Sequence, residues 1–130
     1  MGGQSKVLVI EDDKHVRLVL EYNLRLDGFD VYLAEDGPTG LRLAREIVPE
    51  VILLDWMMPG MDGLAVLSEL KHDEKMKQCR VFMLTAKGVP ADVELALTVG
   101  ADGYVVKPFN PRSLAQTIKQ KLEKTQTAGQ

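Results

Sequence analysis

Short apolar runs rich in branched residues recur along the chain, and they predict five strands. The runs are Val7–Ile10, Phe29–Leu33, Val51–Leu54, Val81–Leu84 and Tyr104–Val106. The first, third and fourth runs are apolar at every position, without the alternation of a half-exposed strand. Such runs are typical of parallel strands that helices cover on both faces, so the sheet is predicted to be parallel.

Between the strands, apolar residues recur at helical spacing, as at Val16, Leu20 and Leu24. Asp36 before Gly37-Pro38 predicts the start of the second helix, and Asn110 before Pro111 predicts the start of the fifth. Strand and helix alternate five times, which predicts a doubly wound α/β fold of five parallel strands and five helices. We expect the flavodoxin-like strand order 2-1-3-4-5, with the ligand site where the first and third strands lie side by side.

The length of 130 residues and the hydrophobic content of 45% fit a single domain. We predict that the domain covers residues 6–124. A disordered segment, residues 1–5, is expected before it. Residues 125–130 are polar and are expected to form a flexible tail or the start of a linker.

Composition excludes several classes of function. Sixteen basic against nineteen acidic side chains give a net charge of -3, so no basic field is available for direct binding of nucleic acid. Cys79 is the only cysteine and can form neither an internal disulfide nor a structural zinc site. The apolar runs are too short to cross a bilayer, and residues 1–5 lack a signal-peptide core. We therefore expect a cytoplasmic protein without membrane contact.

Acidic residues follow two neighbouring strands of the predicted sheet. Glu11, Asp12 and Asp13 follow the first strand, and Asp55 ends the third. Four converging carboxylates repel one another unless a hard cation such as Mg²⁺ neutralises them. We predict Asp12, Asp13 and Asp55 as ligands, with Glu11 as a bystander, because a side chain still on the strand can point to the opposite face. The alternative is that Asp12 and Asp13 only cap the first helix.

Two further strand ends supply a hydroxyl and an ammonium group, from Thr85 and Lys107. An oxyanion transferred to Asp55 would need both groups, because a metal, a cation and hydrogen-bond donors stabilise its dispersed negative charge. Asp55 itself is followed by a loop containing Pro59-Gly60, where the chain cannot simply enter a helix, so its carboxylate is placed to react. Alone, a threonine at a strand end is more often structural and a lysine more often solvated.

Taken together, four separated segments resemble the receiver domain of two-component response regulators over residues 6–122. The segments are IEDD (10–13), LLDWMMPGMDG (53–63), LTA (84–86) and GADGYVVKPF (100–109). The length resembles a stand-alone, chemotaxis-type receiver, and a receiver cut out of a larger regulator would look the same.

The resemblance implies that Asp55 is the phosphoacceptor and takes the phosphoryl group from a sensor histidine kinase or a phosphotransfer protein. Mg²⁺, or Mn²⁺ in its place, is the implied cofactor. Its implied ligands are the carboxylates of Asp12, Asp13 and Asp55 and the backbone carbonyl of Met57. Thr85 and Lys107 are then expected to bind the phosphoryl oxygens, and the Lys107–Pro108 bond is expected to be cis.

The resemblance also implies a switch. Thr85 and Tyr104 are expected to couple phosphorylation to the surface formed by the fourth helix, fifth strand and fifth helix. That surface would bind an output protein or effector domain, or form a dimer. The alternative for Tyr104 is an ordinary packing residue. On the fourth helix, 90–99, Leu95 and Val99 are expected to lie on one exposed stripe.

The predicted function is that of a phosphorylated signalling domain rather than an enzyme with an external substrate, although it catalyses its own phosphorylation and dephosphorylation. In receivers, the residues at the positions of Met57 and Lys87 flank the attacking water. Because Met57 is apolar, we hypothesise slow hydrolysis. An aspartyl-phosphate phosphatase is the enzyme alternative, but it would carry a second acid where Met57 stands. A non-phosphorylated module of the same fold should lack a charged site residue, and none is missing.

Overall fold

The computed structural model describes residues 4–86 and 90–128, with side chains for 4–86 and 92–123. Strands and helices alternate along the chain, as the sequence predicts. The elements are β1 (Lys6–Ile10), α1 (Lys14–Leu26), β2 (Asp30–Ala34), α2 (Gly37–Ile47), β3 (Val51–Asp55), α3 (Gly63–Lys71), a short 3₁₀ helix (Glu74–Met76), β4 (Arg80–Thr85), α4 (Pro90–Val99), β5 (Gly103–Val106) and α5 (Pro111–Ala128).

The five strands form one parallel sheet in the order β2-β1-β3-β4-β5, which confirms the predicted topology. Ile10 lies opposite both Ala34 and Leu54, and Asp55 lies opposite Leu84. The strands therefore end nearly level with one another. Residues that follow them meet at one edge of the sheet.

The sheet separates two hydrophobic cores. Leu8 and Ile10 face the core that includes Leu67 of α3 and Ala96 of α4. Val7 and Val9 face the other core, which α1 and α5 cover. Because both faces are covered, every side chain of β3 is buried. This burial explains why the sequences of the central strands are uninterrupted apolar runs.

Helix starts follow the predicted capping residues. The Asp36 carboxylate accepts a hydrogen bond from the Thr39 N–H at 2.8 Å at the start of α2. The Asn110 side chain accepts one from the Ser113 N–H at 3.0 Å at the start of α5. Each cap satisfies an N–H group that has no partner within its own helix.

The structure describes parts of the two predicted terminal segments. Helix α5 continues to Ala128, into the segment that we expected to be a flexible tail. The sequence has no glycine or proline between Arg112 and Ala128, so nothing stops the helix earlier. At the other end, residues 1–3 of the expected disordered segment lie outside the described residues, whereas the Ser5 carbonyl accepts a hydrogen bond from the Asp30 N–H at 2.9 Å. Among the described helices, none has the length and apolar character needed to span a bilayer.

Candidate functional site

The ends of four strands bring the predicted site residues to one place. Asp55 is the last residue of β3 and is 3% exposed. The following N–H, of Trp56, donates to the Leu84 carbonyl at 2.9 Å, so the sheet continues beyond the acid. Thr85 ends β4 and is also buried. Asp55 is therefore held by the sheet itself rather than by a free loop.

Lys107 reaches two of the acids. Its Nζ donates to Glu11 Oε1 at 2.7 Å and to Asp55 Oδ1 at 3.2 Å. The backbone N–H of Lys107 donates to the Thr85 carbonyl at 2.7 Å, which places the lysine at the end of β4. The Lys107–Pro108 peptide bond is cis, as expected from the resemblance.

The acidic cluster differs from the predicted set of metal ligands. Carboxylate oxygens of Glu11, Asp12 and Asp55 all lie within 4.8 Å of one another. Glu11 was expected to be a bystander, because a strand side chain can point to the opposite face. Ile10 and Leu54 are partners in register and face the same core. The residues that follow them, Glu11 and Asp55, therefore lie side by side on the other face. The fully buried side chain of Glu11 turns toward Lys107.

Asp13 is not part of this cluster in the structure. It is the N-cap of α1, and its Oδ1 accepts hydrogen bonds from the N–H groups of His15 at 2.8 Å and Val16 at 3.2 Å. The capping alternative thus describes Asp13 in the structure, and Glu11 rather than Asp13 lies in the acidic cluster. The position of Asp13 directly before a helix with apolar periodicity was the signal for this role.

The close packing of acidic side chains shifts the pKa values of two residues in the site, Asp55 and Lys107. Burial first, and then the charge of Glu11, raise the pKa of Asp55 to about 7. Burial opposes the charge on Lys107, but the hydrogen bond to Glu11 and the charges of both acids more than offset it, so the pKa of Lys107 lies above its usual value. The site therefore keeps the lysine charged and tends to keep one proton on its acids.

The donor set fits a divalent cation. When all three acids are ionised, three carboxylates and one ammonium group give the site a net charge of two negative units, which a divalent cation would neutralise. Carboxylate oxygens are the ligands that Mg²⁺ prefers. Glu11, Asp12 and Asp55 are the described residues that could hold the ion.

The loop after β3 packs tightly behind Asp55. The Gly63 N–H donates to the Trp56 carbonyl at 2.8 Å. A Cβ atom on Gly63 would lie 2.3 Å from the Asp55 carbonyl oxygen, a distance that no side chain tolerates. The Asp62 carboxylate caps α3 by accepting from the Ala65 N–H at 3.0 Å. Only glycine at position 63 lets the loop fold back in this way.

The residues after Asp55 divide between core and surface. Met58 is buried, whereas Met57 is 71% exposed. Trp56 is half-buried against the core and helps to line a cavity of about 200 Å³ beside Thr85. Lys87, the second residue expected to flank the attacking water, lies outside the described residues.

The face of α4, β5 and α5 carries several exposed apolar side chains. Tyr104 is 46% exposed, and Leu95 and Leu97 are exposed to a similar degree. Val99, which we expected to share the exposed stripe of Leu95, is instead half-buried against the core. A cavity of about 340 Å³ on this face is lined in part by Leu97 and Tyr104.

Known proteins resemble this chain over most of its length. The family model described as response regulator receiver domain matches residues 7–119. Chemotaxis protein CheY4 of Vibrio cholerae is 31% identical, with a TM-score of 0.86 over 91% of this chain and 98% of that chain. A CheY-like receiver domain protein of Methanospirillum hungatei is 25% identical, with a TM-score of 0.88 over 97% and 99%. The signal receiver domain of a histidine kinase from Syntrophus aciditrophicus is 29% identical, with a TM-score of 0.82 over 92% and 91%.

Proposed function

The chain belongs to the response regulator receiver domain family, and from this premise we propose that Asp55 accepts a phosphoryl group from the phosphohistidine of a sensor histidine kinase or phosphotransfer protein. Receivers work with histidine kinases and with output domains, and they typically bind Mg²⁺. The relatives above include both chemotaxis-type receivers and a receiver from within a histidine kinase.

One observation carries the proposal. The Asp55 carboxylate lies at the end of a buried strand, 3.2 Å from the Lys107 ammonium and within 4.8 Å of two further acids. A buried nucleophile next to a fixed cation and a candidate metal site is what in-line transfer of a phosphoryl group requires.

We propose Glu11, Asp12 and Asp55 as the residues that hold Mg²⁺, and the Met57 carbonyl remains an expected further ligand. When bound, the ion supplies the positive charge that lets an anionic carboxylate approach an anionic phosphoryl group. Asp13 is left out of the ligand set because its carboxylate caps α1.

In the proposed reaction, an oxygen of the Asp55 carboxylate forms a bond to phosphorus as the bond from phosphorus to the donor imidazole nitrogen breaks. The released imidazole takes a proton from water. The Lys107 ammonium and the Thr85 hydroxyl bind the phosphoryl oxygens. Water later hydrolyses the acyl phosphate, which regenerates the Asp55 carboxylate and inorganic phosphate.

We further propose that phosphorylation changes the face of α4, β5 and α5 and thereby binding of an output protein, an effector domain or a second copy of the chain. A phosphoryl group shifts the equilibrium only if it binds one conformation better than the other. Thr85 lies within the site, and its partner on the adjacent strand β5 is Val106. Tyr104 lies on the same strand, two residues before Val106. The exposed apolar side chains on this face support the assignment. Unchanged partner affinity in phosphorylated Tyr104→Ala would instead assign Tyr104 to packing.

The direct test is incubation with a small-molecule phosphodonor, followed by measurement of the intact mass. We expect a single phosphoryl adduct that requires Mg²⁺ and is absent in Asp55→Asn, which keeps the size of the side chain. The adduct should be lost at alkaline pH, as acyl phosphates are.

Absence of an adduct, under conditions in which another receiver reacts, would favour a non-phosphorylated interaction module. Turnover of many equivalents of donor without a stable adduct would favour the phosphatase. A stable adduct that persists in Asp55→Asn would place the phosphoacceptor elsewhere in the chain.

A further inference from the structure

Arg17 contacts the backbone of the acidic segment. It lies in the first turn of α1, and its side chain is only 13% exposed. Its Nη1 donates to the carbonyl oxygen of Glu11 at 2.8 Å and to that of Asp12 at 3.0 Å. Its backbone N–H donates to the Asp13 carbonyl at 3.0 Å. One residue thus binds three consecutive carbonyls of the segment that carries two of the site's acids.

Two further hydrogen bonds fix the backbone of this acidic segment. The Glu11 N–H donates to the Ala34 carbonyl at 3.0 Å, which continues the pairing of β1 with β2. The Asp13 N–H donates to Glu11 Oε2 at 3.1 Å. The ion pair of Arg17 with Glu35 is long, at 3.9 Å, and Glu35 is largely exposed. A surface pair of that kind contributes little, so the carbonyls are the main partners of the guanidinium.

We propose that Arg17 is a positioning residue for the metal site: it fixes the backbone of Glu11 and Asp12 so that both carboxylates face Asp55. This inference rests on the proposed function, because it assumes that the three acids bind Mg²⁺. Residues that orient metal ligands typically change metal affinity by about 10- to 100-fold when they are replaced.

The charge of Arg17 and its hydrogen bonds have opposite effects on Mg²⁺. A guanidinium close to the site repels the cation, so loss of the charge alone would strengthen binding. Loss of the hydrogen bonds frees the backbone of Glu11 and Asp12, which would weaken binding. The sign of the change therefore separates the two effects. Both carbonyls accept from the same nitrogen, Nη1. Lysine keeps the charge, but its nitrogen lies one bond nearer to the backbone and is not held in a planar guanidinium.

The experiment is a Mg²⁺ titration of the full chain and of three variants by isothermal calorimetry, with the fluorescence of Trp56 as a second signal. Trp56 is the only tryptophan and directly follows Asp55. The variants are Arg17→Met, Arg17→Lys and Arg25→Met. Arg25 is the matched control, because it lies on the same helix and donates to a backbone carbonyl, that of Val31, at 3.2 Å, away from the acids.

We expect the Mg²⁺ dissociation constant to rise about tenfold in Arg17→Met, and nearly as much in Arg17→Lys, with no change in Arg25→Met. Phosphorylation of Arg17→Met should need more Mg²⁺ for half-maximal rate but reach the same rate at saturation. Because Arg25 is more exposed than Arg17, urea unfolding of each variant measures the loss of stability separately from the change in Mg²⁺ affinity.

Three results would overturn the inference. They are unchanged or tighter Mg²⁺ binding in Arg17→Met, parental binding in Arg17→Lys, or an equal loss in Arg25→Met. If Arg17→Met does not fold, as judged by circular dichroism, Arg17→Lys decides the question alone. Failure of the unaltered chain to bind Mg²⁺ would instead count against the proposed function.

Discussion

Lys107 lies closer to Glu11 than to Asp55, at 2.7 Å against 3.2 Å. The Lys107 ammonium group thus forms ion pairs with two acids: Glu11, which is fully buried, and Asp55, which is proposed to react. A phosphoryl group on Asp55 must compete with Glu11 for the same ammonium group. The pKa of Asp55 consequently depends on Glu11 both directly, through charge repulsion, and indirectly, through the position of Lys107.

Glu11→Gln should lower the pKa of Asp55 below its value of about 7 in the metal-free protein. Removal of the glutamate charge removes one cause of the raised pKa, and Lys107 becomes available to Asp55 alone. The pKa can be followed by NMR of the carboxyl carbon. The same change at exposed Glu50, near the opposite edge of the sheet, is the control and should leave the titration unchanged. A higher pKa in Glu11→Gln would contradict the proposed coupling.

The stability of the metal-free protein should fall as the pH rises from about 4 to about 7. The unfolded pKa of an aspartic acid is about 3.9, whereas that of Asp55 in the folded protein is about 7. In this window the folded chain keeps a proton that the unfolded chain has released, so deprotonation favours unfolding. The free-energy cost above pH 7 is on the order of 4 kcal/mol, from about three pKa units at about 1.4 kcal/mol each.

Asp55→Asn should remove that cost. In EDTA above pH 7, the variant should be more stable than the parent by roughly 3 to 4 kcal/mol, and at pH 4 the two should be nearly equal. Denaturant unfolding at several pH values measures the difference. Mg²⁺ should stabilise the parent but not Asp55→Asn. Parallel stability curves for the two proteins across this pH range would contradict the assignment.

The fold could be predicted from the sequence because local signals and long-range topology agree. The apolar run of β3 requires cover on both faces, and the caps at Asp36 and Asn110 mark where α2 and α5 begin. With parallel strands, the meeting of Asp55, Thr85 and Lys107 at one edge then follows from topology alone.

The identity of the first-strand acids could not be predicted in the same way. The expectation for Glu11 placed it on the opposite face from Asp55, but the register of Ile10 with Leu54 sets Glu11 and Asp55 on the same face. That register is a long-range property that the sequence of β1 alone does not contain. Asp13, two residues further, caps α1. The hydrogen bonds from Arg17 to the Glu11 and Asp12 carbonyls could not be predicted either. No sequence pattern indicates that a side chain folds back over the start of its own helix.

Gly63→Ala should destabilise the protein more than Gly60→Ala. The new Cβ at position 63 would meet the Asp55 carbonyl at 2.3 Å, and backbone atoms cannot move aside as a flexible side chain does. We expect a loss of about 3 kcal/mol and a lower yield of phosphorylation. Gly60 has a φ of 79° but open space around it, so alanine there should cost only about 1 kcal/mol. Urea unfolding compares the two, and an equal loss would show that the loop can shift away from Asp55.

Met57→Asn should shorten the lifetime of the aspartyl phosphate. The Met57 side chain is 71% exposed and lines the cavity beside Thr85, where an apolar group cannot hold the attacking water. An amide that donates one hydrogen bond of about 1 kcal/mol in the transition state would raise the rate of hydrolysis about fivefold. The measurement is decay of the phosphorylated mass after removal of the donor. Met57→Leu is the matched control, since it keeps the position apolar and should decay at the parental rate. A parental rate in Met57→Asn would exclude this side chain as the reason for slow hydrolysis, and faster decay in Met57→Leu would point to loop packing instead of polarity.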